Sequence, residues 1–442
     1  MALIPEYVRE ILSKLNSKGY EAYPVGGCVR DTLLGDTPHD WDVCTNATPE
    51  KMKEVFADMR VIDTGIAHGT VTVISGGRPI EVTTYRSDGD YKDHRRPDSV
   101  EFVTELKDDL SRRDFTVNAL CFDKDGGIID MFDGQKDLKK RIIRCVGDAH
   151  RRFEEDALRI LRALRFSSVL DFDIDEATAA AAYDKAQLLK YVSHERIYNE
   201  LKKLICGRRA GRILLEFRDI IGIIIPELVP CFECLQNNPH HKYDVYAHIC
   251  KSVDNIAPDP TLRLAMLFHD CGKPECKTTD IGGTDHFKLH PLKSADKAAA
   301  ALDRLRAENE TKAQVIALIN EHDNRIAATT RSVGRFISKY SYEFFDRYIQ
   351  VRLADTLAQS DYLRKEKLED LESLKAKRYE LEKNDACLKI KDLKINGRDL
   401  LSIGLKGREI GQALEYALSG VISGEVKNDS KELMRFVREK DT

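Results

Sequence analysis

The sequence predicts an α+β protein, a small sheet domain followed by an all-helical remainder, on three observations. Stretches rich in β-branched residues with period-two alternation occupy the first 143 residues: YPVGGCVRD (23–31), DWDVCT (40–45), GTVTVI (69–74), PIEVTTYR (79–86) and VEFV (100–103). From Ile143 the period changes. FEEDALRILRALRFSSVL (153–170) and SHERIYNELKKLICGRRAGRILLEF (193–217) carry apolar residues three and four apart, as an amphipathic helix requires, and strand signals nearly vanish afterwards. The length of 442 residues, at roughly 100–200 residues per domain, implies two to four domains.

Composition excludes several classes. With 42% hydrophobic and 33% charged residues, the chain is neither collagenous nor wholly disordered. No apolar run approaches the roughly 20 residues that span a bilayer, so no membrane association and a cytoplasmic location are expected. The eleven cysteines are scattered and odd in number, which points to free thiols in a reducing compartment. Cys231 and Cys234 form a CxxC, but the spacing to Cys271 and Cys276 departs from zinc-ribbon patterns. A net charge of −4 gives no global pull toward nucleic acid, so RNA contacts require local basic surface.

The chemistry-bearing residues of the sheet region begin with Gly26 and Gly27, which end a strand pattern and open a helical one. Two backbone N–H groups and a helix N-terminus there suit a phosphate, although a bare glycine pair is also an ordinary turn. Asp40 and Asp42 follow at i and i+2, so on an extended segment both carboxylates project from one face. Their mutual repulsion calls for neutralisation, which two Mg2+ ions would supply while activating a hydroxyl and holding a triphosphate. Glu81, on a strand pattern, is the candidate third acid, with a solvent-facing Glu as the plain alternative.

GGCVRD (26–31), DWD (40–42), RRDFTVNA (112–119), EDALRILRALRF (155–166) and SHERIYNEL (193–201) occur in the order seen in class II tRNA nucleotidyltransferases. The chain thus resembles the CCA-adding enzymes and their bacterial poly(A) polymerase relatives, strongly over roughly residues 20–205. The resemblance implies a polymerase-beta-like catalytic head over 1–143, a helical neck for base and tRNA recognition over 144–220, a helical body over 221–365 and a tRNA-binding tail over 366–442. It implies addition of C, C and A from CTP and ATP to tRNA, held by its acceptor stem and T arm, with no obligatory protein partner. Poly(A) synthesis on the same head is the nearest alternative.

The residues say how bases could be chosen without a template. On a continuous helix Asp156 and Arg159 are neighbours, and a carboxylate accepts where a guanidinium donates. Cytosine and adenine each place an amine beside an unprotonated ring nitrogen and match that edge. Guanine and uracil meet acceptor with acceptor and donor with donor, leaving buried groups unpaired. An intrahelical ion pair is the plain alternative. In the resembling family the Asp and Arg of this motif have the base-selecting role.

By the same resemblance Arg113 and Asp114, with Arg112 and Asn118 beside them, contact ribose and triphosphate. Arg30 joins the nucleotide site, and Arg162 and Arg165 continue a positive wall, or else form a solvated face. The polar segment RSDGDYKDHRRPDSV (86–100) corresponds to a loop that helps switch from C to A addition in the family. Lys139, Lys140, Arg141, Arg144, Arg151 and Arg152, then Lys202, Lys203, Arg208, Arg209 and Arg212, are candidates to track RNA phosphates.

A second constellation lies further along: His248, then His269 and Asp270 in LFHDCGKP, then Asp355 in VRLADTLAQSD. This order resembles the HD phosphohydrolase superfamily. Neutral imidazoles with carboxylates suit a divalent metal acting on a phosphoester, and His290 and His322 could supply ligands for a second ion. Structural histidines are the plain alternative. A phosphohydrolase whose head only binds RNA is the rival from a different class.

Overall fold

The structure, a computed structural model, describes residues 4–63, 65–66, 69–88 and 100–439. Its described chain divides into two compact units. The first runs to Pro226 and includes Arg304–Arg306; the second comprises Glu227–Asp303 and the chain from Ala307 onward.

Among the described residues, the head of the first unit holds nine strands: β1 (Ala22–Val25), β2 (Asp42–Thr45), β3 (Arg60–Ile62), β4 (Thr70–Ser75), β5 (Arg78–Thr84), β6 (Arg86–Asp88), β7 (Val100–Phe102), β8 (Leu120–Phe122) and β9 (Ile128–Asp130). Seven form one sheet in the order β3-β4-β5-β2-β1-β8-β9, while β6 and β7 pair separately. The β2–β5 pair is parallel and its neighbours are antiparallel. Strand alternation decides which face carries chemistry. In β5, Ile80, Val82 and Thr84 turn into the core, which leaves Glu81 on the opposite face. The head core gathers Val25, Cys44, Tyr85, Leu106, Leu110, Ala119, Cys121 and Val146.

The amphipathic helix Glu6–Ser17 covers the sheet with Val8, Ile11, Leu12 and Leu15. Helix Gly27–Leu34 follows β1 directly, and the turn into it is made by Gly26 at φ 82°, ψ −125°, a region open essentially to glycine. A Cβ at Gly26 would lie 3.1 Å from Arg113 Nη1.

Helices dominate after Ile143 as the sequence predicts, with two corrections. Ile142–Ile143 pairs in parallel with Asp173–Ile174, and Thr278–Thr279 forms a hairpin with Asp285–His286. Two-residue strands leave no periodic signal to read. The charged helix Arg364–Lys383 buries only Leu371, Leu374 and Leu381, consistent with a largely solvated surface. The tail packs helices Gly397–Leu401, Arg408–Ser423 and Ser430–Glu439 around Leu400, Ala413, Ala417, Leu433 and Val437. All eleven cysteines are free. No helix among the described residues is long and apolar enough to cross a membrane.

Gly26→Ala combines left-handed strain with the approach to Arg113, at a cost of about 1–3 kcal/mol. Denaturant titration should show a lower midpoint with an unchanged slope, whereas Gly35→Ala, with open space around its Cβ, should lower it less.

Candidate nucleotidyl-transfer site and a histidine–carboxylate centre

The register of β2 on β5 sets Asp42 directly opposite Glu81, and in-register parallel neighbours project from the same face. Asp40 precedes β2 by two residues. The three predicted acids are thus brought to one region. Protein around the Asp42 carboxyl, then Glu81 and Asp40, push its pKa up to about 6, with Arg113 opposing. Their oxygens do not form a cluster of three within 4.8 Å.

The cationic candidates sit differently from the sequence expectation. Arg30 is buried, donates to Asp31 Oδ1 at 2.8 Å and Asn118 Oδ1 at 2.7 Å, and lies 5.1 Å from the Phe166 ring centre. Arg112 donates twice to Asp109 Oδ1, at 3.0 and 2.6 Å, and Arg113 reaches Asp109 Oδ2 at 3.3 Å. Asp114 accepts from Arg162 Nε at 2.8 Å and Nη2 at 2.5 Å, and from Asn118 Nδ2 at 3.0 Å. Burial alone would raise the Asp114 pKa, but Arg162 and Asn118 outweigh it and hold it at about 2. Arg165 pairs with Glu200 at 2.9 Å and stacks 3.8 Å from the Phe166 centre, and burial lowers its pKa to about 10.

The expected Asp156–Arg159 neighbourhood on one helix is not formed. Helix Ala149–Glu155 ends before Asp156, whose extended backbone (φ −141°, ψ 102°) separates it from helix Leu158–Leu170. Asp156 Oδ1 accepts from Leu158 N at 3.1 Å, and Oδ2 binds Arg196 Nη2 at 2.8 Å. Arg159 instead donates to Glu155 Oε2 at 2.7 Å, Arg152 O at 3.1 Å and Arg112 O at 3.0 Å. The sequence contains the reason: a carboxylate two residues before a helix start satisfies orphan N–H groups and competes with helix continuation.

Other basic candidates are also engaged within the fold. Arg144 pairs with Asp137 and Asp175, Arg151 and Arg152 with Glu155, Arg209 with Asp171, and Arg212 with Asp173. Lys139 and Lys140 remain exposed at a helix end. Residues 89–99 of the polar segment 86–100 lie outside the described residues. Sequence reasoning missed Asp109, Glu155, Arg196, Glu200 and Phe166. Four of them lie inside the quoted motifs, where only their pairing across helices would reveal them.

In the second unit, five segments bring six ligand-type side chains together. Asp270 is shared between two buried triads, one with His248 and His269, the other with His290 and His322. Asp270 Oδ2 lies 3.3 Å from both His248 Nε2 and His269 Nε2, whereas Oδ1 lies 3.2 Å from His290 Nε2 and 3.6 Å from His322 Nε2. Asp355 Oδ1 joins the first group, 2.9 Å from His248 Nε2.

Three Nδ1 atoms face carbonyls: His269 to Met266 O at 2.7 Å, His290 to Phe287 O at 2.8 Å and His322 to Ile319 O at 2.6 Å. A carbonyl only accepts, so each of these Nδ1 atoms carries a proton and each ring turns its Nε2 toward Asp270. Burial would raise the Asp270 pKa, but His269 and Lys273 hold it well below the usual carboxylate range. The group opens on a cavity of about 470 Å3 with Lys273, Lys288 and Arg325 in its wall. Cys231 and Cys234 join no such cluster among the described residues.

The sheet with its acidic face and the arginine-rich helices behind it define a nucleotidyltransferase. Residues 22–144 match the poly A polymerase head domain, 171–231 a probable RNA and SrmB-binding site of polymerase A, and 289–437 a tRNA nucleotidyltransferase domain 2. A CCA-adding enzyme of Lactobacillus delbrueckii subsp. bulgaricus is 36% identical over 97% of this chain and 96% of its own length. One from Oceanobacillus iheyensis is 51% identical over 50% of this chain and 54% of its own. The Bacillus stearothermophilus CCA-adding enzyme in complex with CTP superposes with a TM-score of 0.74 at 28% identity, covering 99% of this chain and 98% of that one. A Thermotoga maritima CCA-adding enzyme complexed with tRNA shares the fold, with a TM-score of 0.60 at 20% identity over 100% and 97% of the chains. The chain belongs to the CCA-adding enzyme family, template-independent tRNA nucleotidyltransferases.

The depressed Asp114 pKa fixes a pH dependence. Its folded value lies below the ordinary 3.8, so the stabilisation is present above about pH 4 and is lost as pH falls through 2. Between pH 4 and 2, wild type should lose on the order of 2 kcal/mol more than Asp114→Asn, read from denaturant midpoints.

Proposed function

We propose that this chain completes tRNA 3′ ends with C, C and A, taking CTP and ATP and releasing pyrophosphate, with Asp40, Asp42 and Glu81 as the catalytic carboxylates. The observation that carries this assignment is the register placing Asp42 against Glu81 beside Asp40, close to the Gly26 turn. An all-carboxylate donor set suits hard cations such as Mg2+, and burial together with the neighbouring Glu81 and Asp40 raises the Asp42 pKa, which a bound cation would reverse. When bound there, two Mg2+ ions would neutralise triphosphate charge and favour the nucleophilic form of the terminal hydroxyl. Gly26 and Gly27 would let backbone N–H groups approach a phosphate. Asp114, held by Arg162 and Asn118, would present a fixed acceptor to the ribose, and Arg112 and Arg113 would face the triphosphate. Asp156 would accept from the base amine and Arg159 would donate to the ring nitrogen. Arg30 and Arg165, packed on Phe166, would hold this wall in place.

The division of labour we propose is a head over 1–143, a neck over 144–220, a body over 221–365 and a tail over 366–442, the last three holding the acceptor stem and T arm. The absence of any long apolar helix among the described residues is consistent with a cytoplasmic enzyme. Asp42→Ala and Asp40→Ala should each reduce incorporation from CTP and ATP into tRNA ending at the discriminator base by roughly a thousandfold. Filter retention of that tRNA should be unchanged. Long oligo(A) from unstructured RNA without CTP use would favour a poly(A) polymerase instead.

The bridged histidine–carboxylate group supports a second reading, an HD-type centre for two divalent ions. Its mixed imidazole and carboxylate donors suit such ions, and the Nε2 atoms of His248 and His269 lie 3.2 Å apart and those of His290 and His322 3.1 Å apart, close enough for each pair to share an ion. His248, His269, Asp270 and Asp355 would hold one ion, and Asp270, His290 and His322 the other. Bound ions there would supply a water activated toward a phosphoester. Elemental analysis after dialysis should find two transition-metal ions per chain, falling by at least one in Asp270→Asn, with nucleotide incorporation retained in that variant. Equal metal content in the two proteins would contradict the assignment.

A further inference from the structure

The base-selecting carboxylate has a partner that the motif spacing did not suggest. Arg196 Nη2 donates to Asp156 Oδ2 at 2.8 Å, from a helix that begins at His194. With Ser193 at the N-cap, Arg196 stands in the first turn of that helix, at the positive end of its macrodipole. A cation there is disfavoured where an anion would be favoured, so the placement needs another cause. Arg196 Nη1 is a second indication: it is buried and has no hydrogen-bond partner among the described residues. A guanidinium with one N–H on Asp156 and another unfilled beside it is completed by an incoming acceptor. Arg159, in contrast, has Glu155 and two carbonyls as partners.

We propose that Arg196 is the positioning residue for base selection: it fixes the Asp156 carboxylate so that its acceptor oxygen meets the exocyclic amine of cytosine or adenine. The inference rests on the assignment of Asp156 to the base and deepens it. Because Asp156 is the link between two helices and its Oδ1 is used on Leu158 N, its remaining freedom is rotation about the side chain, and Arg196 removes it. Without Arg196, the carboxylate would swing among solvent and neighbouring cations, and uracil would no longer meet a fixed, mismatched acceptor.

The test uses the full chain with tRNA ending at the discriminator base. Arg196→Met should raise the KM for CTP and ATP by about 10–100-fold, the scale of one charge-assisted hydrogen bond, and lower the CTP:UTP ratio of kcat/KM by at least tenfold. Arg196→Lys, which keeps the charge, should recover part of that ratio. tRNA retention and the thermal midpoint of the Lys variant should match wild type. An unchanged CTP:UTP ratio in Arg196→Met, alongside a collapsed ratio in Asp156→Asn, would overturn the role of Arg196 alone. An unchanged ratio in both would overturn the base-selecting role of Asp156 beneath it.

Discussion

A buried carboxylate is tolerated only when a cation or several donors meet it, and the division between carboxylates so met and those left over organises this molecule. Asp109, Asp114, Glu155 and Glu200 each bind at least one arginine, and all four are largely removed from solvent. Asp114–Arg162 ties residues 109–118, between β7 and β8, to helix Leu158–Leu170, and Glu200–Arg165 ties that helix to His194–Ile205. They fix the wall against which a nucleotide would be read. Asp40, Asp42 and Glu81 receive no such partner in the described ion pairs, and burial, then Glu81 and Asp40, raise the Asp42 pKa.

The same arrangement engages most of the arginines that sequence counting places in a basic neck. Nine Lys and Arg between 139 and 165 outnumber four acids there, yet Arg144, Arg162 and Arg165 find their acids elsewhere in the fold. Charge counted along the chain overstates what is available to phosphate. Contact with the RNA backbone would then fall to the smaller set of exposed lysines.

Much of this was legible in the sequence. Period-two alternation located β4 and β5 and therefore the face of Glu81, and the i, i+2 spacing located Asp40 and Asp42. The order His248, His269–Asp270, Asp355 located the second centre, and His290 and His322 completed it. What could not be read was pairing between distant segments. Spacing put Asp156 beside Arg159, but the helix break at Asp156 gave each a different partner, Arg196 and Glu155. The three-residue strands β3, β8 and β9 were missed because they are too short for periodicity and owe their pairing to the sheet around them.

The most direct test of this division is anomalous scattering from Mn2+ in crystals of the full chain grown with CTP. The account predicts Mn2+ at Asp40, Asp42 and Glu81 and none at Asp109, Asp114, Glu155 or Glu200. CTP bound with Mn2+ at one of those four paired acids, or with none at the three unpaired ones, would contradict it.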